Sequence, residues 1–244
     1  MVESFVILKS RSTVTVKNPS ERLHGVLIEL LSSHFDINKI HGEEKMRFVL
    51  SPIYSLKTFQ MVRKFEQNER YFFRLASTKK ELGQILAFGF ALNSIISLAD
   101  CVFEIEEFHM ADEFVVHSKS MDTLYFVSPV TFRISKNVNL PLPDPERIAK
   151  SLSRILEKEV DLPPIKEVAG CSRAISFSHH TIVGFVGFVK FARPCEYLEI
   201  LNFTGVGYST SRGLGSVLVE GVNPLEEKVR KLRERMLKLE KKRC

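Results

Sequence analysis

The chain has 244 residues, 44% hydrophobic and 26% charged, with 19 Phe and no Trp, a balance ordinary for a globular protein with material for one or two cores. The formal charge is +6, but residues 226–244 hold nine of the bases and four of the acids, so +5 of it belongs to this tail and +1 to everything before it. A uniformly basic body is thereby excluded, and any groove for a nucleic acid must come from local clustering.

In chain order, residues 4–16 come first; they are rich in β-formers and read as one long strand or a bent pair. Asn18, Pro19 and Ser20 form a helix start, followed by Leu23, Val26, Leu27, Leu30 and Leu31 at helical spacing. Met46–Tyr54 is an apolar strand that Pro52 assigns to an edge or bulge. Arg70–Ala76 is a strand, and Ser77 and Thr78 offer caps for a helix from Lys79 to about Leu92. Cys101–Phe108 alternates as a strand does, and Glu113–Lys119 continues the sheet. The first half therefore runs β-α-β-β-α-β.

The second half repeats that order. Leu124–Ser135 is a strand, a helix runs from Pro145 to Lys158, Ser172–Phe177 and Thr181–Phe191 are strands, Pro194–Phe203 is a short helix and Ser216–Glu220 is the last strand. The expected class is α+β: two tandem ferredoxin-like (RRM-like, βαββαβ) domains, residues 1–120 and 121–222, followed by a charged amphipathic helix over 223–244. In that helix Leu225, Val229, Leu232, Met236 and Leu239 form an a/d seam of about two heptads, fewer than a coiled coil needs, with Pro224 in the first turn. The seam suits a helix laid on its own chain, a self-association surface, or a basic arm touching a nucleic acid.

No stretch reaches the roughly 18 uncharged apolar residues of a membrane span. The nearest, Leu82–Ala99, is interrupted by Gly83, Gln84, Gly89, Asn93 and Ser94. The Met-Val-Glu-Ser-Phe start lacks a signal-peptide layout, so no membrane and a cytoplasmic location are expected. Cys101, Cys171, Cys195 and Cys244 lack CxxC spacing and read as scattered buried thiols rather than a zinc site or a disulfide framework.

The most informative segment is Thr204-Gly-Val-Gly-Tyr-Ser-Thr-Ser-Arg-Gly-Leu-Gly-Ser-Val217. Gly205, Gly207, Gly213 and Gly215 permit positive φ and close backbone approach, and several exposed amides can form an anion-binding concavity. Ser209, Thr210 and Ser211 add hydroxyls and Arg212 a charge, a set suited to a sugar-phosphate backbone. The segment is not a dinucleotide fingerprint, since it follows a helix, and it lacks the Gly-Lys-Ser/Thr of a P-loop. By spacing alone it reads equally as a flexible helix-to-strand connection.

This loop, its place near the C-terminus and the preceding strand His180–Lys190 resemble the signature of the CRISPR-associated RAMP-superfamily endoribonucleases that process repeat RNA. That family's pattern, G-x-G-x-x-[ST]-[ST]-x-G-x-G, is met at Gly205, Gly207, Thr210, Ser211, Gly213 and Gly215. Ile40–Pro52 resembles the family's "Leu-His-Glu … Phe-Thr-x-Ser" segment, and Phe126-Val-Ser-Pro-Val130 its mid-chain "Leu-Ser-Pro-Ile/Val". The resemblance reaches to about residue 222 and leaves out the C-terminal helix.

The resemblance implies cleavage of CRISPR repeat RNA, single-stranded or a short hairpin, by attack of a ribose 2′-hydroxyl on the adjacent phosphate. The ends are 5′-hydroxyl and 2′,3′-cyclic phosphate, with no metal and no cofactor. His41 stands where the family has its catalytic histidine, and a histidine suits either proton transfer because its unperturbed pKa is about 6.5. Lys45 or Arg47 is the cation for the phosphate. Family members with this histidine often carry a first-helix tyrosine; here the stretch reads Leu23-His-Gly-Val-Leu-Ile28, and His24 or Arg22 is the substitute. His109, His117, His179 and His180 read as structural, without a third ligand for a metal. Two further readings stand beside the enzyme. One is a non-cleaving RNA-binding RAMP subunit of a CRISPR ribonucleoprotein. The other is an interaction module using the terminal seam for a homodimer or an effector-complex contact.

Overall fold

The structure is a computed structural model that describes residues 1–32, 48–135 and 138–241. In the N-terminal half, β1 (Val2–Ser10), β2 (Val14–Thr15) and α1 (Pro19–Ser32) are followed by β3 (Phe48–Leu50), β4 (Tyr54–Ser55), β5 (Lys64–Phe65) and β6 (Arg70–Ser77). Then come α2 (Lys80–Leu92), β7 (Ile95–Leu98), β8 (Cys101–Ala111) and β9 (Phe114–Val116). The main sheet has the order β3-β6-β1-β8-β7, all pairs antiparallel.

The C-terminal half contributes β10 (Thr123–Val130), β11 (Phe132–Ser135), β12 (Val138–Leu140), α3 (Pro145–Leu156), β13 (Ile165–Ser176) and β14 (Thr181–Phe191). It closes with α4 (Glu199–Thr204), β15 (Val217–Val219), β16 (Val222–Pro224) and α5 (Glu227–Glu240). Its sheet runs β13-β14-β10-β15. In each half the strand before the first helix lies between the third and fourth strands of the repeat, which is the ferredoxin-like order. The tandem ferredoxin-like α+β expectation holds.

β1 is buried along almost its whole length, because both faces are covered. Val6 and Leu8 join the core under α1 and α2, whereas Phe5 and Ile7 face α5 together with Phe72 and Tyr125. A strand covered on both sides reads as a continuous apolar run, and this explains Phe5–Leu8. Leu23, Leu27 and Leu31, one helical turn apart, are the fully buried side of α1, as their spacing predicts. α3 is capped by Asp144, whose side chain accepts from the Arg147 amide at 3.2 Å, and its buried residues are Ile148 and Leu152.

α5 is held by its own chain. Val229 and Met236 are buried against both sheets, and Arg233 (2% exposed) reaches fully buried Glu3 on β1 at 3.2 Å. Arg74 on β6 pairs with the same carboxylate at 2.5 Å, donates to the Asn202 carbonyl of α4 at 2.6 Å and to the Ser216 hydroxyl at 3.0 Å. One carboxylate and two guanidinium groups thus tie β1, β6, α4, α5 and the end of the glycine-rich loop. Burial pushes the Glu3 carboxyl up, but the two arginines outweigh it and hold the pKa below the usual carboxylate value. Burial pulls Arg233 down to about 10.

Several expectations are corrected. Leu124–Ser135 is two strands, because the chain breaks pairing at Thr131, whose carbonyl receives the loop amide of Tyr208. Glu113–Lys119 does not extend the first sheet; β9 pairs with β16 instead. Pro224 sits in β16 rather than in the helix, which starts at Glu227 behind the side-chain cap of Glu226. Lacking an N–H, a proline is tolerated in such a short peripheral pair. Ser77 and Thr78 do not cap α2 directly; Lys79 is the cap position, with its amide donating to the Ser77 hydroxyl at 3.1 Å. Cys101 and Cys195 are free and buried, the latter thiol pushed up to about 12 by burial.

Candidate nucleic-acid interface

The glycine-rich loop leaves α4 through Gly205 and returns at Ser216. Its two ends are clamped together, the Val206 amide donating to the Gly215 carbonyl at 2.9 Å. They are also clamped to the end of β10, with Gly215 N donating to the Pro129 carbonyl at 2.9 Å and Ser216 N to the Ser128 hydroxyl at 2.7 Å. The Ser128 hydroxyl and the Pro129 and Thr131 carbonyls therefore serve as acceptors for the loop. Gly215 has φ +61°, and a Cβ there would collide with the Val206 carbonyl oxygen, so no other residue fits without strain.

The loop lies at the crease between the halves. Gly213, with φ +92°, comes so close to α1 that an added Cβ would stand 2.6 Å from that of Ser20. A Cβ on Gly205 would stand 2.9 Å from Val49 of β3. Arg212 is exposed, and its charge falls on Glu21 at the start of α1. The Ser178 hydroxyl, then Asn18 and the Ser178 amide, together with Arg212, hold the Glu21 carboxyl below its ordinary pKa against the opposing effect of burial. Ser178 donates to that carboxylate from both its hydroxyl and its amide, at 2.6 and 2.9 Å.

The base of the loop is buried: Gly205, Val206 and Gly213–Ser216. Its tip, Gly207–Arg212, is half-buried as far as Ser211 and exposed at Arg212, and contains a single 3₁₀ turn over Thr210–Arg212 entered from a left-handed Ser209. The amides of Gly207, Ser209, Thr210 and Ser211 have no backbone acceptor among the described residues. Three of the four glycines thus build the base, and the amides without a backbone acceptor lie in the tip with the hydroxyls of Ser209, Thr210 and Ser211.

His24, on α1, is half-buried and its ring stacks on Phe48 of β3 (centroids 6.1 Å apart, interplanar angle 21°). His41, Lys45 and Arg47 lie outside the described residues. Phe48, the residue that follows Arg47 in the chain, begins the strand packed against the loop. Of the other histidines, His109 pairs with Glu107 at 2.7 Å and His180 stacks on Phe177 (5.2 Å). Among the described residues, no group of three His, Cys, Asp or Glu side chains is arranged to hold a metal ion, and no helix is long and apolar enough to cross a membrane.

A cluster not anticipated from sequence adjoins the loop tip. Arg147, Lys150, Ser151 and Arg154 of α3 face Phe132 and Arg133 of β11 and Gly207 and Tyr208 of the loop across an open cleft of about 390 Å³. The signal was present in the sequence. Arg147, Lys150 and Arg154 recur three and four residues apart, on the side away from Ile148 and Leu152.

The fold is thus two antiparallel sheets of ferredoxin-like order, with a glycine-rich loop closing the second against the crease. Residues 124–217, from β10 through the whole loop to the first residue of β15, match the family model of the CRISPR-associated endoribonuclease Cas6. Three solved structures carry the likeness over both halves. A Thermus thermophilus Cas6 product complex has a TM-score of 0.68 at 18% identity, covering 90% of this chain and 100% of that one. A RAMP protein binding different RNA substrates scores 0.70 at 14% identity, covering 90% and 99%. The product of a Cas6-related gene from Pyrococcus furiosus scores 0.69 at 14% identity, covering 89% and 98%. At these identities the likeness is one of fold. No curated protein matches the chain in sequence. α5 lies beyond the family match, as the loop resemblance implied.

Proposed function

We propose that this protein is a cytoplasmic endoribonuclease that cuts CRISPR repeat RNA in precursor transcripts without a metal or cofactor. The observation that carries the reading is the meeting of two elements at the crease. The partly exposed loop tip comes from the second half, and β3, which follows the His41–Arg47 segment in the chain, packs against that loop from the first. The RNA complexes among the solved relatives support the substrate class.

In this reading the loop tip holds a phosphate through the amides of Gly207, Ser209, Thr210 and Ser211, with Arg212 neutralising a neighbouring one. The ribose 2′-oxygen attacks the adjacent phosphorus, and the P–O5′ bond breaks to leave a 2′,3′-cyclic phosphate. One proton leaves the 2′-hydroxyl and one reaches the departing 5′-oxygen. His41 carries one of these transfers. His24, beside β3 on α1, is the candidate for the other, in place of the first-helix tyrosine. Lys45 or Arg47 stabilises the phosphorane charge. Such a transfer contributes about 10²- to 10⁴-fold.

The test is incubation of a repeat-containing RNA with the protein in excess chelator. One cut per repeat, with 5′-hydroxyl ends, is expected, and His41→Ala should slow it at least about a hundredfold. RNA that is retarded on a gel yet stays intact would favour the non-cleaving subunit instead. RNA neither bound nor cut would end both.

A further inference from the structure

The first 225 residues carry a net charge of only +1, yet Arg133, Arg147, Lys150 and Arg154 converge on one cleft with Phe132, Ser151, Gly207 and Tyr208. The three α3 bases stand in a row of about 10 Å, seven residues at the helical rise. Lys150, Arg154 and Arg133 are exposed and Arg147 half-buried. Across from them the Arg133 guanidinium lies over the Tyr208 ring, 5.1 Å from its centroid. A guanidinium held against an aromatic ring offers a flat, cationic surface on which a nucleobase stacks. Gly207 and Tyr208 belong to the loop tip as well as to the cleft, so whatever the tip holds continues into it.

The opposite route is closed. In RRM-like folds the sheet face without helices is a base-stacking platform. Here that face carries Phe5, Ile7, Phe72 and Tyr125, and α5 covers it with Val229 and Met236. The buried Glu3–Arg233 pair fixes α5 there. A strand leaving the loop tip cannot stack on that face, whereas the α3 cleft shares Gly207 and Tyr208 with the tip.

We infer that this cleft is a subsite for a single-stranded stretch of the RNA flanking the segment at the loop tip. Arg147, Lys150 and Arg154 follow consecutive phosphates, and the Arg133–Tyr208 pair stacks a base. A cation row beside an aromatic platform is single-strand chemistry, and a cleft of this volume takes a nucleotide rather than a duplex. The inference rests on the RNA-binding part of the function proposed above, not on cleavage.

The experiment measures binding of a repeat RNA made uncleavable by 2′-deoxy substitution at the cut site, across a salt series. The proteins are the wild type, R147Q/K150Q/R154Q, the charge-keeping R147K/K150R/R154K, and R230Q/K231Q/K238Q, which removes three exposed charges from α5. The cleft triple should bind about tenfold or more weaker, with a salt slope smaller by about 2, near 0.7 for each single-strand phosphate left without its cation. The charge-keeping variant should restore most of the affinity, and the α5 triple should bind as the wild type does. Trimming the RNA from the flanking end that enters the cleft should weaken the wild type but scarcely affect the cleft triple. Equal loss from both triples, or equal loss on full-length and trimmed RNA, would overturn the subsite. So would wild-type binding by the cleft triple, or no binding by the wild type. A wild type that binds with the expected slope but never cuts the unmodified RNA leaves the cleft standing and removes only the cleavage reading.

Discussion

Arginine serves two opposite ends in this molecule. Arg74 and Arg233 lie fully buried around Glu3, where desolvation is severe and each guanidinium needs partners. The Arg74 guanidinium has two further ties, to the Ser216 hydroxyl and the Asn202 carbonyl, and Arg233 reaches the Asn202 side chain and the Val219 carbonyl. Arg133, Arg147 and Arg154 line a cleft open to solvent. Charge that is buried must be matched locally or the fold loses it, whereas charge at a water boundary keeps its hydration and can be shared between the protein and a ligand's phosphates. A count of basic residues treats both alike; only position separates a structural tie from a binding surface.

The largest way to break the comparison is at Glu3. Glu3→Ala leaves two buried guanidinium groups without their carboxylate, and a loss of about 3–5 kcal/mol is expected in urea unfolding. A loss below about 1 kcal/mol would mean that water or rearrangement compensates, and the node would be no different from a surface pair. Next comes Gly215→Ala, which forces a side chain into a left-handed position against the Val206 carbonyl. It should cost about 1–3 kcal/mol and weaken RNA binding, because the tip is hung from that clamp. Unchanged melting would show that the base of the loop yields.

A pH series sharpens the contrast. Glu3 has a folded pKa depressed below 4.5. Its stabilisation is therefore fully present above that unfolded value and is lost as pH falls through the lower folded one. The melting temperature of the wild type should fall as acid is added below about pH 4.5, and Glu3→Gln, which cannot titrate, should shed part of that fall. Parallel curves for the two proteins would assign the acid sensitivity to other carboxylates. The smallest effect belongs to Lys231→Ala, which removes an exposed i,i+4 pair with Glu227. It should shift stability by less than about 0.5 kcal/mol.

Much of the fold is legible from period and punctuation. Leu23, Leu27 and Leu31 announce the buried side of α1, and the apolar run Thr181–Phe191 has the bounds of the observed strand. The failures have common causes. β13 begins at Ile165 rather than Ser172 because its first residues pair with the far end of β14, a partnership with no local signature. Ile95–Leu98 escapes a sequence reading because a four-residue edge strand carries too little pattern. The glycine loop is found by its spacing, but its division into a buried base and a partly exposed tip depends on Ser128, Pro129, Thr131, Ser20 and Val49. These residues are distant in the chain. The α3 cations are visible as helix spacing, but they line a cleft only once β11 and Tyr208 are brought opposite.

The order of strands and helices, the doubled plan and the glycine-rich signature were set by local residue types, because helix and strand periods and turn chemistry act over a few residues. That the seam of α5 is covered by its own chain, which arginines surround Glu3, and where cations gather beside the loop tip were decided by the tertiary structure alone. Burial and electrostatic matching depend on neighbours in space. The 230-residue separation of Glu3 from Arg233 lies beyond any pattern in the chain.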